Sequence, residues 1–122
     1  MDERPLKIIK RIEDEAPRQA WHEVATTLLQ HAENGKELQF EFGPEHVSFI
    51  TGCNQFLRIY KSGPHAGTGE ILPGPGFDLD AGEAVGGMVF KMFGWKHVKP
   101  QPGLDAAVLA AYESAAAKQA PK

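Results

Sequence analysis

Residues 37–61, ELQFEFGPEHVSFITGCNQFLRIYK, carry the strongest strand pattern in the chain. In the first part of this stretch, Leu38, Phe40 and Phe42 alternate with polar side chains. Such a period of two is typical of a strand that buries one face. The groups GPEH and GCN contain turn-forming residues and divide the stretch into three segments. The sequence therefore predicts a three-stranded antiparallel meander.

A long helix is predicted just before this meander, over residues 13–35, EDEAPRQAWHEVATTLLQHAENG. Pro17 suits the first helical turn, and Asn34 with Gly35 would form a C-cap. The apolar residues recur with helical spacing, which predicts one buried stripe: Trp21, Val24, Ala25, Leu28 and Leu29. A helix packed on a meander gives an α+β fold, with the helix covering one face of the sheet.

The second half of the chain begins with a long loop in residues 62–76, SGPHAGTGEILPGPG, where glycine and proline disfavour regular structure. Ile71 and Leu72 are expected to anchor the middle of this loop to the core. Two further helices are predicted, with an extended segment between them. The first lies within residues 78–95, with Asp80 as N-cap and Gly94 at its end, and the second covers residues 104–119. In the first of these helices a cluster is expected to be core: Met88, Phe90, Met92, Phe93 and Trp95.

Length and composition predict one ordinary globular domain over residues 1–122, with residues 1–14 and 118–122 expected to fray. The net charge of −3 disfavours nucleic acid as a partner. No stretch is apolar over the ~20 residues that a membrane span needs, so no membrane contact is expected. The start MDERPLKII lacks the basic and apolar regions of a secretory signal, and the chain has one cysteine. These features predict a cytoplasmic protein.

The motifs that would announce a cofactor or a metal are incomplete. The segment GPHAGTG follows a predicted strand, but no lysine follows it as a phosphate-binding loop requires. In WHEVAT, a threonine occupies position 26, where the zinc-protease motif needs its second histidine. We therefore expect no cofactor and no metal ion.

The leading hypothesis is a small, non-catalytic protein that binds another protein as an inhibitor, immunity-type or accessory factor. The polar side chains of the 62–76 loop, His65, Thr68 and Glu70, are the predicted partner-binding residues. The alternative is a small-ligand-binding protein or an enzyme with a pocket between the sheet and the 62–76 loop. Cys53 would then be the nucleophile, with His65 and Glu70 as an acid–base pair. A homo-oligomer with a structural role is a third hypothesis.

Overall fold

The computed structural model describes residues 2–33 and 37–118. Within these ranges the helices are α1 (Arg4–Ile9), α2 (Glu15–Glu33), α3 (Met88–Met92) and α4 (Leu104–Ala117). The strands are β1 (Gln39–Phe42), β2 (His46–Thr51), β3 (Asn54–Tyr60), β4 (Gly69–Ile71), β5 (Ala81–Glu83) and β6 (Lys96–Val98). The fold is α+β.

All six strands form one antiparallel sheet, in the order β1-β2-β3-β4-β6-β5. The predicted meander is present as β1, β2 and β3, but the sheet does not end there. Residues 69–71, inside the predicted 62–76 loop, form β4 and pair with β3. The added strands are three residues long, so they are too short to show a period of their own. Pairing with neighbours, rather than local sequence, makes these segments strands.

One face of the sheet, here called the inner face, is covered by α1, α2 and α4. The predicted α2 stripe is confirmed, since all five of its apolar residues are buried. Trp21 shows how closely α2 approaches the sheet. Its indole Nε1 donates a hydrogen bond of 2.8 Å to the Gly67 carbonyl oxygen. A Cβ on Gly69 would lie 2.7 Å from the Trp21 ring, so glycine permits this approach. Ile71 is completely buried and Leu72 is half-buried, so the expected anchor is confirmed for Ile71.

The prediction of one helix from Asp80 to Gly94 is wrong in its extent. Residues 81–83 form β5, and α3 is only five residues long, beginning after Gly87. The φ of Gly87 is 122°, a conformation outside the helical region that favours glycine. Gly86 and Gly87 therefore interrupt the helical pattern, and Asp80 is not an N-cap.

Helices lie near both ends of the described chain. Leu6, Ile9 and Ile12 lie in the hydrophobic core, so residues 4–12 are packed although the sequence led us to expect fraying over residues 1–14. The last helix is confirmed as α4, which ends at Ala117. The predicted C-cap at residues 34–35 and residues 119–122 of the expected frayed end lie outside the described residues.

Candidate functional site

A row of polar side chains crosses the face of the sheet that faces away from α1, α2 and α4, here called the outer face. Ser48 of β2 pairs with Arg58 of β3, which pairs with Glu70 of β4, which pairs with His97 of β6. Their sequence neighbours on these strands, such as Ile59 and Ile71, point into the core. Because successive side chains on a strand point to opposite faces, the register itself assembles this row.

Glu70 lies at the centre of the row and is completely buried. Its Oε1 accepts a hydrogen bond from the Tyr60 hydroxyl. Its Oε2 accepts one of 2.7 Å from the Val85 N–H and one of 3.0 Å from the Gly86 N–H. A buried carboxylate is costly unless donors surround it, and here three donors do. Glu70 therefore fastens the segment that leads into α3 to the outer face.

The pKa of Tyr60 is raised to about 12, first by burial and then by the hydrogen bond to Glu70, with Arg58 acting in the opposite direction. The hydroxyl is therefore protonated at neutral pH and serves as a donor. This assigns Tyr60 to holding the Glu70 carboxylate. It does not suit Tyr60 to the role of a general base, which needs a pKa near the working pH.

Two imidazole rings, those of His46 and His65, contact the Tyr60 ring on the outer face, and the His97 ring contacts that of His65. The ring centroid of His46 is 5.9 Å from that of Tyr60, and the centroid of His65 is 5.7 Å away. The His65 centroid is also 5.4 Å from that of His97. Burial lowers the pKa of both His46 and His97, assisted by Arg58 for the former and by His65 for the latter. His46 and His97 are therefore mostly uncharged at neutral pH.

Thr68 links two of these histidines by hydrogen bonds. Its Oγ1 donates to the His65 carbonyl oxygen over 2.6 Å. Because the hydroxyl proton is used in that bond, Oγ1 accepts from His97 Nε2 over 2.7 Å, which assigns the Nε2–H tautomer to the neutral ring. The arrangement fixes the His97 ring against the end of the loop.

Helix α3 rests on the outer face through one side chain. The Phe90 ring lies under the Arg58 guanidinium, with Cζ 4.5 Å from the ring centroid, and its centroid is 4.6 Å from that of Trp95. Trp95 itself is buried. Arg58 is half-buried, and its Nε has no hydrogen-bond partner among the described residues. Together with Glu70, these contacts determine which side of α3 faces outward.

The outward side of α3 is apolar, which corrects the expectation that this cluster forms core. The exposed fractions are 71% for Met88, 60% for Val89, 76% for Met92 and 70% for Phe93. We call these four residues the α3 surface. Only Phe90 and Trp95 of the predicted cluster face inward. A helix of five residues resting on the sheet through Phe90 has no second buried turn, so its remaining apolar side chains are left in solvent.

The predicted partner-binding residues do come together, although not as an exposed loop tip. His65 and Thr68 are half-buried and Glu70 is completely buried, so the Glu70 carboxylate is not on the surface. The structure does not bring Cys53 to them. Cys53 is exposed in the turn between β2 and β3, at the opposite end of β3 from Tyr60. Six residues of extended chain separate these ends by about 20 Å.

The polar row reaches an open groove only at its His97 end. His97 lines a groove of about 530 Å³ together with Asp80, Lys99 and Gln101. Within residues 2–33 and 37–118, no three His, Cys, Asp or Glu side chains are arranged to hold a metal ion.

The sequence alone did not predict that Tyr60, Arg58 and His97 lie in one cluster with His65, Thr68 and Glu70. The period of β3 puts Arg58 and Tyr60 on one face, but nothing local indicates that β6 lies beside β4.

No helix in the described part of the chain is long and apolar enough to cross a membrane. Comparison with known proteins gives no match, whether to a protein-family model, a curated protein sequence or a solved structure. The functional argument therefore rests on the geometry of the outer face and of the α3 surface.

Proposed function

We propose that this chain is a small, non-catalytic protein that binds another protein, as an inhibitor, immunity-type or accessory factor, through the α3 surface. The observation that carries the proposal is the exposure of four large apolar side chains, three on the short helix α3 and the fourth on its C-cap residue Phe93. Together they expose on the order of 500 Å² of apolar surface, near the upper range for the largest patch of a monomeric protein. Methionine and phenylalanine are also enriched at protein interfaces, where methionine adapts its shape to a partner.

The way in which α3 is held supports this proposal. An isolated five-residue helix is not stable in water, so α3 depends on its contacts with the sheet. Those contacts are the Glu70 hydrogen bonds to Val85 and Gly86 and the packing of Phe90 between Arg58 and Trp95. They present the apolar side chains to solvent in a fixed arrangement. A rigid surface loses less conformational entropy on binding than a mobile one does.

The residues predicted from the loop keep a place in this proposal. His65 and Thr68 are half-buried, so their remaining exposed atoms lie within reach of a partner seated on the outer face. Glu70 contributes indirectly, because it fastens the chain that precedes α3. We propose a cytoplasmic location, since the exposed thiol of Cys53 suits a reducing compartment.

Partner capture with matched variants tests the proposal. Immobilised wild-type protein and the double variant Met88→Asp/Met92→Asp are incubated with lysate of the source cell, and bound proteins are identified by mass spectrometry. Phe42→Asp is the control, because Phe42 is another exposed apolar residue, 43% exposed, on the distant strand β1. We expect a stoichiometric partner with the wild type and with Phe42→Asp, and none with the double variant. Equal capture by all three proteins would contradict the proposal.

A second candidate function is a small-ligand-binding protein or an enzyme, and one observation favours it. His65, His97 and Thr68 converge beside a groove that His97 lines. Cys53 takes no part in this version, because it lies at the other end of the sheet. A screen of metabolites by thermal shift distinguishes the two functions. A ligand that stabilises the wild type, but not the variant His65→Ala/His97→Ala, would favour the second candidate.

A further inference from the structure

We propose that two copies of this chain form a symmetric dimer by pairing strand β5 with β5 of the second copy, which joins their sheets into one. The inference goes beyond the proposed function and rests on different residues. Strand β5 is the last strand in the sheet order, and all three of its residues are exposed. The edge of β5 that faces away from β6 is therefore open to another strand.

The direction of the β5 backbone groups follows from the bonds of Asp80. Gln101 accepts a hydrogen bond of 2.8 Å from the Asp80 N–H, and its amide donates one of 2.8 Å to the Asp80 carbonyl oxygen. Gln101 follows β6, so the backbone groups of Asp80 point towards the β6 side. Backbone groups alternate in direction along a strand. The N–H and C=O groups of Gly82 therefore point towards β6. Those of Ala81 and Glu83 point away from β6, towards the open edge of the sheet.

These outward groups make no backbone hydrogen bond to another residue of the described chain. Their spacing is self-complementary. In an antiparallel pair with Gly82 on the two-fold axis, Ala81 of each copy lies opposite Glu83 of the other. Each such pair exchanges both of its backbone hydrogen bonds, so every outward N–H and C=O of β5 is satisfied. The interface closes on itself, as a two-fold dimer requires.

The side chains on the axis favour β5 over the other edge of the sheet. Gly82 places no side chain there, and a Cβ at this position would meet nothing within 4 Å. The equivalent pairing of β1, centred on Glu41, would set two glutamates directly opposite each other. Like charges in that position destabilise a strand pair, and charged residues on edge strands prevent such pairing. The pairing centred on Glu41 thus opposes like charges, whereas the pairing centred on Gly82 sets Glu83 opposite the uncharged Ala81.

Substitution on the axis is the first test. Gly82→Glu places like charges opposite each other in the dimer, whereas in the single chain its side chain has open space and no positive φ to strain it. Analytical ultracentrifugation should give a species of twice the 13.3 kDa chain mass for the wild type. For Gly82→Glu we expect the dissociation constant to rise about tenfold or more. Glu41→Gln is the control and should dimerise like the wild type. A monomeric wild type, or a dimer that Gly82→Glu does not weaken, would overturn the proposal.

A covalent test remains decisive even if Gly82→Glu disturbs folding. In a Cys53→Ser background, Gly82→Cys places two thiols opposite each other, in a pair whose Cα atoms lie about 4.5 Å apart. Mild oxidation by dissolved oxygen should then yield a disulfide-linked dimer on a non-reducing gel. Glu41→Cys in the same background is the matched control and should remain a single chain. No cross-linking through position 82, or equal cross-linking through position 41, would refute the β5 interface.

Discussion

Replacing Glu70 with leucine should detach the segment that leads into α3 from the sheet. The substitution keeps the side-chain volume similar but removes the acceptor of three hydrogen bonds, from the Tyr60 hydroxyl and from the Val85 and Gly86 N–H groups. The Tyr60 hydroxyl and the two N–H groups are then left without this acceptor. Each buried donor that stays unsatisfied costs about 1–3 kcal/mol. Since a domain is stable by roughly 5–15 kcal/mol, the loss should be plain in the free energy of unfolding.

Chemical denaturation gives that free energy, and hydrogen exchange locates the effect. In Glu70→Leu the amides of Val85 and Gly86 should lose their protection against exchange. Amides in the centre of β3 should still exchange only through global unfolding of the protein. Glu70→Gln is the matched control. Its amide oxygen can accept from the two N–H groups and its NH₂ can donate to Tyr60, so we expect a loss of only about 1 kcal/mol. The reasoning is refuted if Glu70→Leu unfolds within about 1 kcal/mol of the wild type and both amides stay protected.

Three further predictions concern the same sheet. Gly69→Ala should lower the free energy of unfolding by about 1–3 kcal/mol in chemical denaturation, because the new Cβ lies 2.7 Å from the Trp21 ring; an unchanged stability would contradict the close contact. Because the pKa of His97 is lowered below 6.5 in the folded state, the unfolded chain binds more protons in acid. The free energy of unfolding should therefore fall as the pH drops below about 6.5, and it should fall less steeply in His97→Gln than in the wild type. The same pH dependence in both proteins would contradict this prediction. Tyr60 should ionise near pH 12. The variant Tyr112→Phe leaves Tyr60 as the single tyrosine, and its tyrosinate absorbance is followed after a rapid pH jump. Ionisation near the ordinary value of 10.0 would contradict the burial of the hydroxyl and its hydrogen bond to Glu70.

Sequence alone predicts the elements whose pattern is local and long enough. The α2 stripe from Trp21 to Leu29 and the strands β1, β2 and β3 follow from a period of 3.6 or two over many residues. The strands β4, β5 and β6 are three residues each. Their pairings join segments that are distant in sequence, and no local period reports such partners. For this reason a Gly/Pro-rich stretch was predicted as a loop although its centre is an interior strand.

The candidate site was predictable only in part for a related reason. His65, Thr68 and Glu70 were identified because they are the polar residues of a segment rich in glycine and proline. Their neighbours Tyr60 and His97 come from strands on either side of β4, and their convergence needs the sheet order. The α3 surface was predicted as core because apolar spacing indicates a stripe but does not indicate whether anything covers it. Tertiary contacts decide that question.

Side-chain footprinting of the complex with a captured partner tests most directly whether the α3 surface is the binding surface. Hydroxyl radicals modify exposed methionine and phenylalanine, so Met88 and Met92 should react rapidly in the free protein, given their exposed fractions of 71% and 76%. In the complex we expect their modification rates to fall several-fold while Phe42 on β1 reacts as before. Unchanged rates at Met88 and Met92 in a saturated complex would contradict the account.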